Sequence, residues 1–364
     1  MKFTSAFLVL LVLVFLGCQK NELLLEEKPS IEKDNRSGKD STAAMQQDTV
    51  LMPANDEIIH FTEFSDTSKI KFAPGFEKYL IGQGIDPDPA PNGYILYRYI
   101  KNIDSLIINE WFDAGDRNLT GIEGFSNLRI FATVSLGVEN IDFSSNPKLE
   151  YFKYTKYAHC MGCGTLTSLK FGKQSNLQSL NLLGAEKLSA LDFENLKKLR
   201  ILKILNTDHL RNQDISECRE IEKIELDGSA EIILANHPKL KVLTCGAYPH
   251  HVDFTKLPGL ESLRYLVLGR HALDFSANKE LKDLYLSDLR SIKLDISANK
   301  KLEKLEVYGS GQWTQSNIDL RNNVNLKKCI LTATQLSTIC VKSLTDIDFT
   351  TWKKDDNAQY KVCK

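Results

Sequence analysis

The spacing apolar-x-x-apolar-x-apolar recurs through most of this chain. It begins at Ile103-Leu106-Ile108 and is anchored again at Leu128, Leu149, Leu177, Leu199, Ile221, Leu240, Leu260, Leu281, Leu302 and Leu326, with 19 to 28 residues between successive anchors. Self-similarity at that interval is a solenoid period. Within each unit the final apolar-x-apolar alternation suits a short strand with one buried face. Strands of neighbouring units can then pair in parallel, about 4.8 Å apart. One unit cannot bury its apolar side alone, whereas a stack can.

A second phrase marks the other edge of each unit and is plainest in Leu273-Asp274-Phe275-Ser276-Ala277-Asn278-Lys279 and Leu294-Asp295-Ile296-Ser297-Ala298-Asn299-Lys300. Seven residues before the anchors stand Asp142, Asp192, Asp214, Asp253, Asp274, Asp295 and Asp319, with Lys170 and Ile233 as exceptions. Asp accepts hydrogen bonds from backbone N–H groups just downstream, so a turn that re-aims the chain once per coil is expected there. Asn146, Asn278, Asn299 and Asn323 follow four residues later, where an inward amide would serve the backbone of adjacent coils. Cys218 replaces that Asn in one unit. An acid that recurs once per coil is read as structural, not catalytic.

If the apolar residues of each strand face in, the residue between them faces out. That gives a file of Lys153, Asn181, Lys203, Glu225, Thr244, Arg264, Tyr285 and Glu306, with Asp283 and Tyr308 beside it. Charge, amide and aromatic groups mixed in this way are typical of protein interfaces. Lys203, Glu225, Arg264, Asp283, Tyr285, Glu306 and Tyr308 are therefore the candidate ligand-binding residues.

Composition supports an ordered core: 364 residues, 42% hydrophobic and 26% charged. Lys plus Arg (46) balances Asp plus Glu (47), so the global field favours neither nucleic acid nor anionic membrane. The N-terminus is a different region. Lys2 precedes an apolar run from Ala6 to Leu16, too short to span a bilayer, followed by Gly17-Cys18. This reads as an export signal. Phe15-Leu16-Gly17-Cys18 resembles the lipobox of bacterial lipoproteins, with Phe15 where that family usually has Leu. The resemblance implies that Cys18 is diacylated and becomes the mature N-terminus, and several acyl chains anchor stably. The polar stretch after Cys18 reads as a tether that would hold the following domain about 35 Å from the membrane.

The repeat L-x-x-L-x-L with its LD[FI]SxN phrase resembles the leucine-rich repeats of surface lipoproteins of the Bacteroides–Flavobacterium group and, more distantly, the internalins. The stretch Phe76-Glu77-Lys78-Tyr79-Leu80-Ile81-Gly82 and onward to Asp86 looks like that family's N-terminal cap, a short helix over the first coil. The ending from Ile339 to Cys363 resembles its C-terminal cap, in which a strand-borne Cys meets a Cys near the terminus. The resemblance thus implies a Cys340–Cys363 disulfide and a recognition role. Lys20-Asn21-Glu22 partly resembles the signal that sends such lipoproteins to the cell surface.

Of the remaining cysteines, Cys245 and Cys329 occupy positions where neighbouring repeats have Leu, and with Cys218 are expected to be buried hydrophobes. His159, Cys160 and Cys163 form the one cluster with possible chemistry. A local disulfide or inert thiols, a metal site and a redox pair all fit that spacing, although no second ligand cluster is visible. His250 and His271 hold the same slot in successive coils. The loop 84–93 carries Asp86 and Asp88, but Pro87 and Pro89 interrupt the acid spacing of a calcium loop, so a rigid loop is expected. No hydrolase elbow, phosphate loop, zinc-protease helix or dinucleotide fingerprint occurs.

The expected fold is a leucine-rich-repeat solenoid of about eleven coils, with a parallel β-sheet on one face, a short N-terminal helical cap and a disulfide-closed C-terminal cap. The expected organisation is a lipoprotein signal peptide (1–17), a tether (18–57), the N-terminal cap (58–102), the solenoid (103–331) and the C-terminal cap (332–364). The expected function is a non-enzymatic recognition protein of the bacterial outer membrane, exposed at the cell surface. It would need no cofactor, touch membrane only through its lipid and bind no nucleic acid; its ligand would be a protein or glycan held on the strand face. The alternative is a metal-binding or redox envelope protein centred on His159, Cys160 and Cys163.

Overall fold

The computed structural model describes residues 64–364 apart from 110–117, 135, 157–164, 228–231, 235, 246–251, 267–272, 290–292, 311–312 and 314. All of these belong to the unit His60–Lys364. Cys18, the tether, the cluster of His159, Cys160 and Cys163, and the His250 and His271 pair lie outside the described residues.

Among the described residues, twelve parallel strands form one sheet whose spatial order follows the chain. Eleven of them, from Ser105–Ile108 to Lys328–Thr332, each begin two residues after one of the sequence anchors. The twelfth, Trp352–Lys354, comes from the C-terminal segment and pairs with Lys328–Thr332. The register carries the apolar pattern unbroken from coil to coil. Leu106 lies opposite Phe131, and the file continues through Phe152, Leu180, Leu202, Ile224, Leu243, Leu263, Leu284, Leu305, Cys329 and Trp352. Every member is buried. Burying a Leu or Phe in such a file is worth roughly 1.5–3 kcal/mol. A one-residue slip would turn a strand's whole set outward, so the register is strongly specified. The leucine-rich-repeat solenoid expected from the sequence is the fold observed.

The turn edge follows from the Asp phrase. Backbone N–H groups two residues on reach Asp142 (2.8 Å), Asp192 (2.9 Å), Asp214 (2.8 Å), Asp253 (3.1 Å), Asp274 (2.8 Å), Asp295 (3.0 Å) and Asp319 (3.0 Å). These bonds, from backbone and the Ser side chain, hold Asp214, Asp274 and Asp295 below the usual carboxylate range. The inward Asn residues do what the pattern implies. Asn278 Nδ2 donates to the Phe254 and Leu257 carbonyls at 3.0 and 2.7 Å, Asn299 to Phe275 and Asn278 at 3.0 and 2.8 Å, and Asn323 to Ile296 and Asn299 at 3.0 and 2.9 Å. Each amide thus ties its own coil to the one before it. Asn146 makes the same pair of bonds to Ile122 and Phe125.

Both ends are closed by different means. At the N-terminal end Lys69–Lys71 and Tyr94–Leu96 pair antiparallel, and a helix spans Pro74–Gly82. The helix starts two residues before the position expected from sequence, because Pro74 has a fixed φ suited to a first turn and no N–H to leave unpaired. Glu77 is fully buried and its carboxylate accepts from Asn92 N (2.7 Å) and Gly93 N (2.8 Å). That clamp ties the end of the loop 84–93 to the helix. Asp86 within it is also buried, which raises its pKa. At the C-terminal end Cys340, on the strand Thr338–Val341, is bonded to Cys363 with Cα atoms 5.4 Å apart. Asp355 accepts from Ala333 N (2.9 Å) and Thr334 N (2.7 Å) and holds Ala333 at φ 53°. Gly309 sits against that turn, where a Cβ would come within 2.2 Å of the Ala333 carbonyl oxygen.

Candidate recognition surface

The outward face of the sheet is built by the same register. Lys153, Asn181, Lys203, Glu225, Thr244, Arg264, Tyr285 and Glu306 lie directly opposite one another on successive strands, so the file read from sequence is one continuous row. Asp283 and Lys304 pair two residues before Tyr285 and Glu306, and Tyr308 lies opposite Ser287 two residues after them. All seven candidate ligand-binding residues therefore share one surface.

Their contacts fall into three groups. Lys203 Nζ lies 3.2 Å from Glu225 Oε1. The Arg264 guanidinium sits 4.1 Å above the Tyr285 ring, whose centroid is 5.4 Å from that of Tyr308 at an interplanar angle of 41°. Tyr308 donates its hydroxyl to Glu306 Oε2 at 3.2 Å, while Lys328 Nζ lies 2.7 Å from Glu306 Oε1. Burial, and next the negative charge of Glu306, push the Tyr308 hydroxyl up to about 12, so it stays a donor at any physiological pH. Asp283 and Lys304 approach to 3.5 Å. The result is a block in which an exposed guanidinium, two half-buried rings and a half-buried carboxylate brace one another on the sheet. Arginine and tyrosine held in this way are the side chains that dominate protein interfaces.

A second row escaped the sequence reading. The residue immediately after the anchor alternates in sign through most of the stack: Arg129 and Glu150, then, past the neutral Gln178, Arg200, Glu222, Lys241, Glu261, Lys282, Glu303 and Lys327. Arg129 and Glu150 meet at 2.8 Å, Arg200 and Glu222 at 2.9 Å, Lys282 and Glu261 at 2.7 Å, and Lys327 and Glu303 at 2.6 Å. Hydrogen bonds from Lys282 and Lys327 hold Glu261 and Glu303 low, and Glu150 raises Arg129. Pairs this exposed add little stability each. Their effect is a neutral border along the strand face. The signal was present in sequence but lies outside the apolar template, at a position that needs no particular residue type to fold.

Cys218, Cys245 and Cys329 are buried as expected, and burial pushes each thiol up to about 12. None is a reactive thiolate. His237 occupies the slot filled by Asn in other coils; it is fully buried and neither ring nitrogen has a hydrogen-bond partner. A depression of about 330 Å³ on the turn edge is lined by Glu123, Asp142 and Lys170 among others. Its carboxylates already bond backbone, Glu123 to Gly121 N at 2.9 Å and Asp142 to Ser144 N at 2.8 Å. Among the described residues no three His, Cys, Asp or Glu side chains gather as a metal ion would require, and no helix is long and apolar enough to cross a membrane.

No family model matches the chain, and no characterised protein matches it in sequence. Solved structures do resemble it. An internalin, InlF, from Listeria monocytogenes is 15% identical, covering 79% of this chain and 96% of its own, with a TM-score of 0.44. The functional domain of InlJ from Listeria monocytogenes is 16% identical over 77% of each chain, with a TM-score of 0.32. A leucine-rich repeat protein from Bacteroides ovatus is 12% identical over 71% of this chain and 75% of its own, with a TM-score of 0.22. At these values nothing about a partner or its contact residues carries over, and the architecture rests on the register and ladders described above.

Proposed function

We propose that this protein is a non-enzymatic recognition module that binds another protein through the strand face of its solenoid, and that lipid on Cys18 tethers it to a bacterial outer membrane with the solenoid outside. The observation that carries the binding role is the block of Arg264, Tyr285, Tyr308 and Glu306 on one surface. Arg264 is exposed and the other three are half-buried, and all are already ordered by their neighbours and fixed to one parallel sheet. Binding them costs little further side-chain entropy, which is the general benefit of preorganisation. The aromatic stack supplies area, while Arg264 and Glu306 supply direction.

The test is affinity capture from the organism's own surroundings, run side by side with the wild-type domain, a Tyr285→Ala/Tyr308→Ala variant and a turn-edge control, Lys279→Ala/Lys300→Ala. A partner retained by wild type and control but lost from the tyrosine variant supports the proposal. A partner retained by all three, or lost only from the control, refutes it. Anchoring is tested separately: labelled fatty acid should enter the wild-type protein and fail to enter Cys18→Ala. Label on that variant would refute the lipid site.

A further inference from the structure

The formal charge of the whole chain is −1, yet the two outward positions of the strands carry a marked excess of cations. Only three carboxylates stand there among the described residues, and each is matched: Glu225 by Lys203, Asp283 by Lys304 and Glu306 by Lys328. Lys153, Lys223, Arg264 and Lys353 remain on the same face with no carboxylate partner among the described residues, Arg264 having only the Tyr285 ring. The neighbouring alternating row is paired and neutral, so it does not cancel this excess.

The four unmatched cations are spread along the sheet, not clustered: Lys153, Arg264 and Lys353 share one row, and Lys223 stands two residues to its side. Register places Lys223 three strands beyond Lys153, Arg264 two strands further and Lys353 four beyond that. At about 4.8 Å per strand the four span roughly 43 Å along the solenoid, with gaps of roughly 14, 10 and 19 Å. Each gap exceeds the Debye length of about 8 Å in physiological salt, so each cation presents a separate site for a carboxylate. An extended polypeptide covers that length with about 13 residues at about 3.3 Å each. The aromatic pair Tyr285 and Tyr308 follows Arg264 on the next two strands and offers an apolar contact in the long gap between Arg264 and Lys353.

We propose that the ligand of the strand face is an extended acidic segment of a partner protein, lying along the solenoid axis with carboxylates on Lys153, Lys223, Arg264 and Lys353 and an apolar side chain on Tyr285 and Tyr308. This rests on the recognition role proposed above and adds its chemistry. The rule it implies is spacing as well as charge: acidic residues about three to six apart, not a continuous acidic run.

The probe is a fluorescent synthetic peptide of 14 residues with Glu at such intervals and Leu between them, compared with the same peptide carrying Gln or Lys in place of Glu. Fluorescence anisotropy with the whole domain should show the Glu peptide bound, the Gln peptide at least tenfold weaker and the Lys peptide unbound. Lys153→Glu, Lys223→Glu and Lys353→Glu should each weaken binding about three- to tenfold, more at low salt than at high. Reversals on the turn edge, Lys197→Glu and Lys279→Glu, should leave it unchanged. Circular dichroism of each variant confirms the fold. The proposal is overturned if the Glu peptide does not bind or binds no better than the Gln peptide. It is equally overturned if turn-edge reversals weaken binding as much as strand-face ones, or if an anionic polysaccharide or anionic lipid vesicles are bound in preference to the peptide. A partner captured through Tyr285 and Tyr308 alongside a failed Glu peptide would leave the recognition role standing and remove only its acidic ligand.

Discussion

Asn299 offers a quantitative test of how the coils are held together. It is fully buried and its Nδ2 donates to the Phe275 and Asn278 carbonyls of the preceding coil, at 3.0 and 2.8 Å. Both carbonyls keep one backbone bond, Phe275 O from Asn278 N at 3.0 Å and Asn278 O from Leu281 N at 3.2 Å. Losing the amide therefore leaves each acceptor partly satisfied, at about 1 kcal/mol apiece, the lower end for a buried group. Asn299 Oδ1 has no partner of its own, so removing it returns part of that loss, while the vacated volume adds about 1 kcal/mol. Asn299→Ala should cost about 2 kcal/mol. Asn299→Asp keeps the shape but sets an unpaired carboxylate against two carbonyl oxygens, and should cost about 4 kcal/mol or more, or acquire a proton. Asp295→Ala, an exposed turn acceptor in the same coil, should cost about 1 kcal/mol or less. Urea titrations followed by circular dichroism, with the slope held common, give the three values. If Asn299→Asp lies within about 1 kcal/mol of wild type, the inter-coil amide ladder does not hold the stack as argued.

Three other perturbations probe different parts of the molecule. Leu284 is 1% exposed, whereas Asp283 beside it faces out; Leu284→Asp should cost several kcal/mol and Asp283→Ala under about 1, and equal losses in a denaturant titration would mean that the strand faces are exchanged. Cys363→Ser opens a loop with a sequence separation of 23 residues, worth about 3 kcal/mol on the loop-length model; hydrogen exchange should quicken around Leu326 and stay slow from Leu199 to Leu302, and uniform acceleration would contradict a local clamp. Burial holds His237 below its ordinary value of 6.5, with Asp214 opposing. Its folded form thus binds fewer protons than the unfolded chain, so stability is full above pH 6.5 and falls as pH drops through the folded pKa; His237→Leu should flatten the difference in urea midpoint between pH 7.5 and 5.5, and an unchanged difference would assign it to other groups.

What could be read from sequence is what the coil repeats. Leu284, Asp295 and Asn299 each recur at a fixed offset from the anchor, because backbone geometry imposes the same demand on every turn. The outward row of Lys203, Arg264 and Tyr285 followed at once from the inward one, since strand side chains alternate. Singular features were hidden. Glu77 closes the loop 84–93 through Asn92 and Gly93, a contact between segments with no shared period. Trp352–Lys354 joins the main sheet from a segment without the anchor motif. His237 fills an Asn slot without making the bonds of an Asn, so its burial could be inferred from position but its lack of partners could not. The alternating row from Arg129 to Lys327 is periodic, yet it lies one residue past the anchor, where folding tolerates any polar side chain. A ligand imposes no period at all, which is why the face was legible and its partner was not.

Recognition through the strand face is tested by hydroxyl-radical footprinting of the domain with and without its captured partner. Tyr285 and Tyr308 should be protected from oxidation in the complex, while the exposed Phe349 of the C-terminal cap, 71% accessible, and Tyr94 and Tyr99 of the N-terminal cap should be oxidised at unchanged rates. Protection of Phe349, or of Tyr94 and Tyr99, with Tyr285 and Tyr308 unaffected, would place the binding site at an end of the solenoid and contradict the account.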